Sequence, residues 1–457
     1  MRFHQINQFH EDPRIIAWWQ AKLGALLTWL TPVRRRTLLA AGALWVCFRK
    51  TREMLGESEL PVPRDRVGLI LVLAVFLGLS WLIFRAGTRY ASLPRWVRSH
   101  PQLTLHGIYW GLLVVLWNTA PEAGLWRQVF VAVGLMFPFM LWRFGYVLMA
   151  GQFGRLGGTR FTDHFLVLWP YYGGTNTPYG NGFGYLSRSE AKDNEQLARS
   201  QLAGIKLLLL AGVLKILTEL LFALVYGAGN ELTEKLGGHT LGIPRLAGLV
   251  AGGGTKAQLW QSWAAVYCEL FFQVLRHAAK GHVIIGILRI FGFNIFRNTY
   301  KPLLAESIVE FWNRYYFYFK ELMANFFFLP TFTRLGSRLR NWPKLRLMVA
   351  VFAAAFVGNT YYHLLNVELN MVTGAVFETL YSQRSRIFYC FLLALGIFVS
   401  MLREQSRGGR APAPGLHRVK RILGVWTFFG LIFVWHGPGT IDFVTRTRFF
   451  FSLFGLA

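Results

Sequence analysis

Long uninterrupted apolar runs dominate this chain, in place of the apolar–polar alternation of a soluble core. "GLILVLAVFLGLSWLIF" over 68–84 carries no charge, and neither does "VFVAVGLMFPFMLW" over 129–142. "LLLLAGVLKILTELLFALVYG" over 207–227 is broken only by Lys215 and Glu219. "IFYCFLLALGIFVSML" (387–402) and "ILGVWTFFGLIFVW" (422–435) complete the clearest set. Apolar runs of about 17–25 residues match the hydrocarbon thickness of a bilayer. The pattern predicts spans near 68–85, 103–118, 126–149 and 201–227, then at 347 onward, 387–402 and 422–435. The expected fold is therefore all-α: a polytopic transmembrane helical bundle, with interfacial and re-entrant helices where the runs break, and no separate soluble domain. Two shorter apolar stretches over 15–48 flank "TPVRRRT", and Arg34, Arg35 and Arg36 mark them as interfacial or half-spanning. Residues 1–66 are expected to form an N-terminal cytoplasmic or interfacial segment, ahead of a membrane domain over 67–457. The stretch 164–196 starts apolar and turns Gly-, Asn- and Tyr-rich after Pro170, which reads as an external loop or as a re-entrant turn lining a cavity.

Charge changes the picture less than its size suggests. The chain has 49 basic and 22 acidic residues, a formal net charge of +27. That balance alone would point to nucleic acid. The basic residues, however, cluster between the apolar runs, at 34–36, 49–52, 88–98, 338–346 and 417–421. This is the placement that orients membrane spans and meets anionic headgroups, so nucleic acid is excluded as the expected partner. The loops at 31–36, 49–66 and 334–346 are assigned to the cytoplasm on this count. Cys47, Cys268 and Cys390 are isolated in apolar surroundings, which is neither a disulfide framework nor a metal pattern. The opening "MRFHQINQFHEDPR" lacks the order of a signal peptide.

Two segments carry candidate chemistry. "EFWNRYYFYFKELMANFFFLP" (310–330) is thick with aromatics yet holds Glu310, Arg314, Lys320 and Glu321 with Asn313 and Asn325. Glu310 and Arg314 are spaced four apart in the favourable order for a helical ion pair. Four ions make spanning too costly, at about 3 kcal/mol for each one at the bilayer centre. An interfacial helix is expected instead. The second segment, "LMVAVFAAAFVGNTYYHLLNVELNMVTG" (347–374), begins apolar and turns polar at Asn359. On a continuous helix Asn359, His363, Asn366 and Asn370 form one stripe. A lone histidine there is ordinarily a packing residue. With amides flanking it inside a membrane it becomes a candidate general base. His436, in "FVWHGPGT" at a span end, needs no special role, and His277 and His282, five apart, do not share a helical face as metal ligands would. No metal site, phosphate loop, dinucleotide fingerprint or nucleophile elbow is present in the sequence.

The block "ILRIFGFNIFRNTYKPLLAESIVEFWNRYYFYFKELMANFFFLP" (287–330), a basic loop and then "NTYYH" resemble the membrane-bound O-acyltransferase family. The resemblance spans roughly residues 100–440 and is specific in 287–363. It implies a multi-helix acyltransferase domain over 67–457, with a tunnel meeting a buried histidine, matched here by His363. Tyr316 falls at the family's second polar position; beside the resemblance, acyl transfer needs donors aimed at the developing oxyanion, so Asn313 joins Tyr316 as a catalytic candidate, and Trp312, Arg314, Asn359 and Asn366 are the substrate-binding candidates. Tyr316 stands where the family usually has His or Asn, and "FFQVLRHAAKG" (271–281) stands where it has an aromatic-Asp-Phe-Ser-Gly stretch. The implied activity transfers an acyl group from acyl-CoA or a carrier-bound thioester to a hydroxyl of a polysaccharide, lipid or small metabolite. No cofactor is expected beyond that donor. Membrane lipids, donor, acceptor and accessory proteins are the expected partners, and a multi-pass position in the cell membrane the expected location. A non-enzymatic lipid-binding or transport protein on the same fold is the competing expectation.

Overall fold

The computed structural model describes residues 8–456 apart from 58–65, 120–123, 169–178, 180, 228–232, 235–237, 254–257, 368–370, 407–414 and 438–439. Among these, all repeating structure is helical, and pairing of extended backbone is limited to one bridge, Glu190 with Phe293. Most of 169–180, with the expected re-entrant turn, lies outside the described residues.

Four helices are long and apolar enough to cross a membrane: Ile70–Thr88, Asn194–Tyr226, Pro343–Leu364 and Arg384–Ser406. They mark a membrane protein, because helices satisfy every backbone group internally, as lipid requires. Leu209, Val213, Ile216, Leu220 and Leu224 are all exposed, a helically spaced apolar stripe on Asn194–Tyr226 suited to lipid contact. The other expected spans are helical but depart from a simple crossing. Pro101–Thr119 and Gly415–Phe433 form single helices, while the stretch 126–149 is split into Leu125–Met136 and Pro138–Gln152. Proline lacks the N–H that would continue the first helix, and it is well suited to begin the second.

The chain packs into two compact units. The first comprises Met1–Leu208, Val283–Phe296 and Asn366–Ala375. Its helices meet through small residues. A Cβ on Gly204 would lie 2.7 Å from the carbonyl oxygen of Gly286, and one on Gly151 would overlap the carbonyl of Gly87. Such close backbone approach gives membrane helices their dispersion contact, since burying apolar area gains little in lipid. Two residues of the arginine run are engaged by protein groups, while Arg34 is exposed. Arg35 is 2% exposed and donates to the carbonyl of Ala191 at 2.8 Å, and Arg36 pairs with Glu190 and with Asp163. Arg35 and Arg36 are thus compensated by protein groups.

The second unit comprises Leu209–His282, Arg297–Leu365 and Val376–Ala457. Its core stacks Phe311 on Phe429 at 3.9 Å between ring centroids, with Tyr389, Leu393, Val425 and Ile432 buried around them. Every candidate residue except Asn366 and Asn370 belongs to this unit.

Candidate active site

The aromatic segment is a broken helix. It runs Ile308–Tyr315, breaks at Tyr316, resumes over Phe317–Met323, widens into a π turn over Ala324–Phe328 and continues as Leu329–Arg338. Ser307 caps its start by accepting from the Glu310 N–H at 3.1 Å. The Glu310 carboxylate reaches back to the Glu306 N–H at 2.7 Å and holds Arg314 at 2.6 Å, as the spacing predicted. None of the four candidate spans falls here.

A helix break strands carbonyls on one side and N–H groups on the other. The neighbouring strand of chain, Asn298–Lys301, supplies their partners. Tyr300 N–H donates to the Arg314 carbonyl at 2.7 Å, and the Thr299 hydroxyl to the Tyr315 carbonyl at 2.9 Å. Phe317 N–H donates to the Asn298 backbone carbonyl at 2.9 Å and Tyr318 N–H to its Oδ1 at 3.3 Å. Asn298, 1% exposed, thus caps the second half-helix from outside it. Its amide is oriented by that bond, so Nδ2 faces His277 Nε2 at 3.3 Å. The Tyr316 ring packs on His277 at 4.4 Å and on Phe319 at 5.4 Å.

The second segment is likewise interrupted. Helix Pro343–Phe352 widens into a π turn at Ala353–Gly358 before Asn359–Leu364. The helix ends at Leu364, and the exposed Asn366 lies in the following turn. The predicted stripe is therefore corrected: it holds for Asn359 and His363 and does not extend along a helix to Asn366. Asn370 lies outside the described residues.

The two π turns border a cavity of about 260 Å³. Ala324 and Phe328 from one and Ala354 and Ala355 from the other line it, with Trp312, Asn313, Lys320 and Asn359. π turns recur at functional sites because the extra residue reaims the side chains that follow. The wall is mostly apolar, with the amides of Asn313 and Asn359 and the Lys320 ammonium as its polar groups. Asn359 is 3% exposed. His363 is not part of the wall; it follows Asn359 by about one helical turn, roughly 6 Å along the axis. The His363 ring contacts Tyr362 at 5.8 Å and His436 at 6.0 Å. Phe319 and Tyr362, in contact at 4.8 Å, lie between the ring contacts of Tyr316 and those of His363.

The candidates thus divide. Trp312, Asn313 and Asn359 share the cavity; His363 pairs with His436; Tyr316 pairs with His277; Arg314 is engaged by Glu310 and the Lys301 carbonyl, at 3.4 Å for the latter. Sequence reasoning missed Asn298, and set His277 and His436 aside. Their only signal was a polar residue beside apolar runs. Among the described residues no cluster of His, Cys, Asp and Glu is built to hold a metal. No protein-family model matches the chain, and no curated protein matches it.

Proposed function

We propose that this protein is a membrane-embedded O-acyltransferase of the plasma membrane, resembling the membrane-bound O-acyltransferase family in residues 287–363. The observation that carries the reading is the apolar cavity between two π turns, with a histidine one turn beyond its amide-bearing end. In this reading the cavity holds the acyl chain of a thioester. A cavity of about 150 Å³ already accepts benzene, so this one has room for an acyl group of about ten carbons or fewer. Asn313 and Asn359 donate to the thioester oxygen as it becomes an oxyanion. His363 takes the proton of the acceptor hydroxyl as its oxygen attacks the carbonyl carbon. The C–S bond then breaks, and the thiolate leaves with a proton returned from the imidazolium. Tyr316 and Trp312 shape the wall around Phe319.

Purified protein incubated with acyl-CoA and a panel of hydroxyl acceptors tests this. Transfer is expected with short and medium chains, and His363→Ala is expected to lose it while keeping the wild-type elution profile. Wild-type rates in that variant would remove His363 from its role. The second reading is a non-enzymatic lipid-binding or transport protein. It is favoured by the composition of the cavity wall, which carries no histidine and no carboxylate. Saturable binding of acyl chains without thioester consumption would support it.

A further inference from the structure

His363 stands in an unusual electrostatic setting. Arg386, near the start of Arg384–Ser406, acts electrostatically on both His363 and His436. Its Nη1 donates to Gln383 Oε1 at 3.3 Å. Its Nε is buried without a hydrogen-bond partner. Among the described residues its Nη2 makes no hydrogen bond either, so the Nε–Nη2 edge has no protein partner. That edge is the one through which arginine binds carboxylate or phosphate with two parallel bonds.

No carboxylate among the described residues compensates this group. Asp442 is held by Arg384 and caps the following helix through the Val444 N–H at 2.8 Å. Arg446, which also acts on His436, donates to the carbonyls of Val434 at 2.6 Å and Ile441 at 3.1 Å, and so brackets the turn carrying His436. His436 packs against Tyr389 at 4.8 Å, one turn along the helix from Arg386. Arg386 is half-buried, and a cation withdrawn from water without a counter-charge is costly unless a ligand completes it.

We propose that the unpartnered edge of Arg386, with His436 near it, is an anion subsite that holds a carboxylate or phosphate of a substrate next to His363. Resting on the acyltransferase reading, this deepens it: one of the two substrates is anionic near its reacting group. The anion is either the phosphate of the thioester donor or an acidic group on the hydroxyl acceptor.

The test is a binding measurement that needs no turnover. Purified full-length protein is melted with inorganic phosphate, CoA, glucuronate or phosphatidate-containing micelles, and the midpoint shift is titrated for each. Wild type is expected to be stabilised by phosphate, and more strongly by either CoA or by glucuronate and phosphatidate; the first result assigns the subsite to the donor, the second to the acceptor. Arg386→Gln is expected to lose the shift. Should Arg386→Gln fail to fold, Arg386→Lys keeps the charge without the fork and is expected to bind about tenfold more weakly or worse. Arg338→Gln, in the basic loop, is expected to behave as wild type. Affinity in Arg386→Lys equal to wild type, or no stabilisation of the wild type by any of the four probes, overturns the proposal. Loss of transfer in His363→Ala with the anion shift intact would leave the two readings separately scored.

Discussion

Asn298 shows how much one side chain does in this site. It accepts from Tyr318 N–H and faces His277 from a fully buried position, holding the break that sets Tyr316 apart from the helices on either side. Asn298→Ala leaves a buried N–H without its partner and is expected to destabilise by about 2 kcal/mol. A thermal melt in detergent checks this, and an unchanged midpoint would show that the break holds itself. Asp442 illustrates a different, exposed case. The Val444 N–H, and then Arg384, hold its carboxyl below the ordinary value of 3.8. A depressed carboxyl stabilises the fold above its unfolded value and stops doing so as pH falls through its folded value. The melting difference between wild type and Asp442→Asn is therefore expected to be full at neutral pH, to begin to shrink below about pH 4 and to vanish only once pH has fallen through the lower folded value. At this scale the sequence revealed much: the Glu310–Arg314 pair follows from spacing alone. It could not reveal Asn298 against Tyr318, because the partners lie twenty positions apart in the chain and packing alone joins them.

The elements that matter most are the two π turns, Ala324–Phe328 and Ala353–Gly358. Each adds a residue to a helical turn, and each residue of an α-helix turns the following face by about 100°. Deleting Ala354 is expected to restore a plain helix and swing Asn359 off the cavity wall. The protein should remain folded but lose acyl transfer and acyl-chain binding together; retention of both would mean the turn does not aim the site. The Gly204–Gly286 crossing is the structural counterpart. Gly204→Ala places a carbon against a backbone oxygen that cannot give way like a side-chain tip. A loss of about 1–3 kcal/mol is expected from the forced separation of the helices, measured by thermal unfolding. The sequence foretold both helices and neither interruption, since "VFAAAFVG" looks like a plain apolar run.

For the molecule as a whole, the basic loops and the four helices long and apolar enough to cross a membrane make orientation testable. Arg340, between Leu329–Arg338 and Pro343–Phe352, belongs to the loop assigned to the cytoplasm by charge. Arg340→Cys, in a background lacking Cys47, Cys268 and Cys390, is expected to resist an impermeant thiol reagent in intact cells and to react after permeabilisation. Labelling from outside would reverse the topology. It would also move the side from which a soluble donor approaches.

By itself the sequence determined that the chain is helical and suited to a membrane, and where its apolar runs, its basic loops and the Glu310–Arg314 ion pair lie. Those properties follow from local composition: a long apolar run in lipid must satisfy its own backbone, and only a helix does so within one segment. The tertiary structure alone decided that Arg35 and Arg36 are compensated by Glu190 and Asp163, that Tyr316 faces His277, and that His363 meets His436 near an arginine edge without a protein partner. Each of these joins segments distant in the chain. The contact depends on how helices cross and on where a π turn shifts their faces, and no local pattern of apolar and polar residues encodes either.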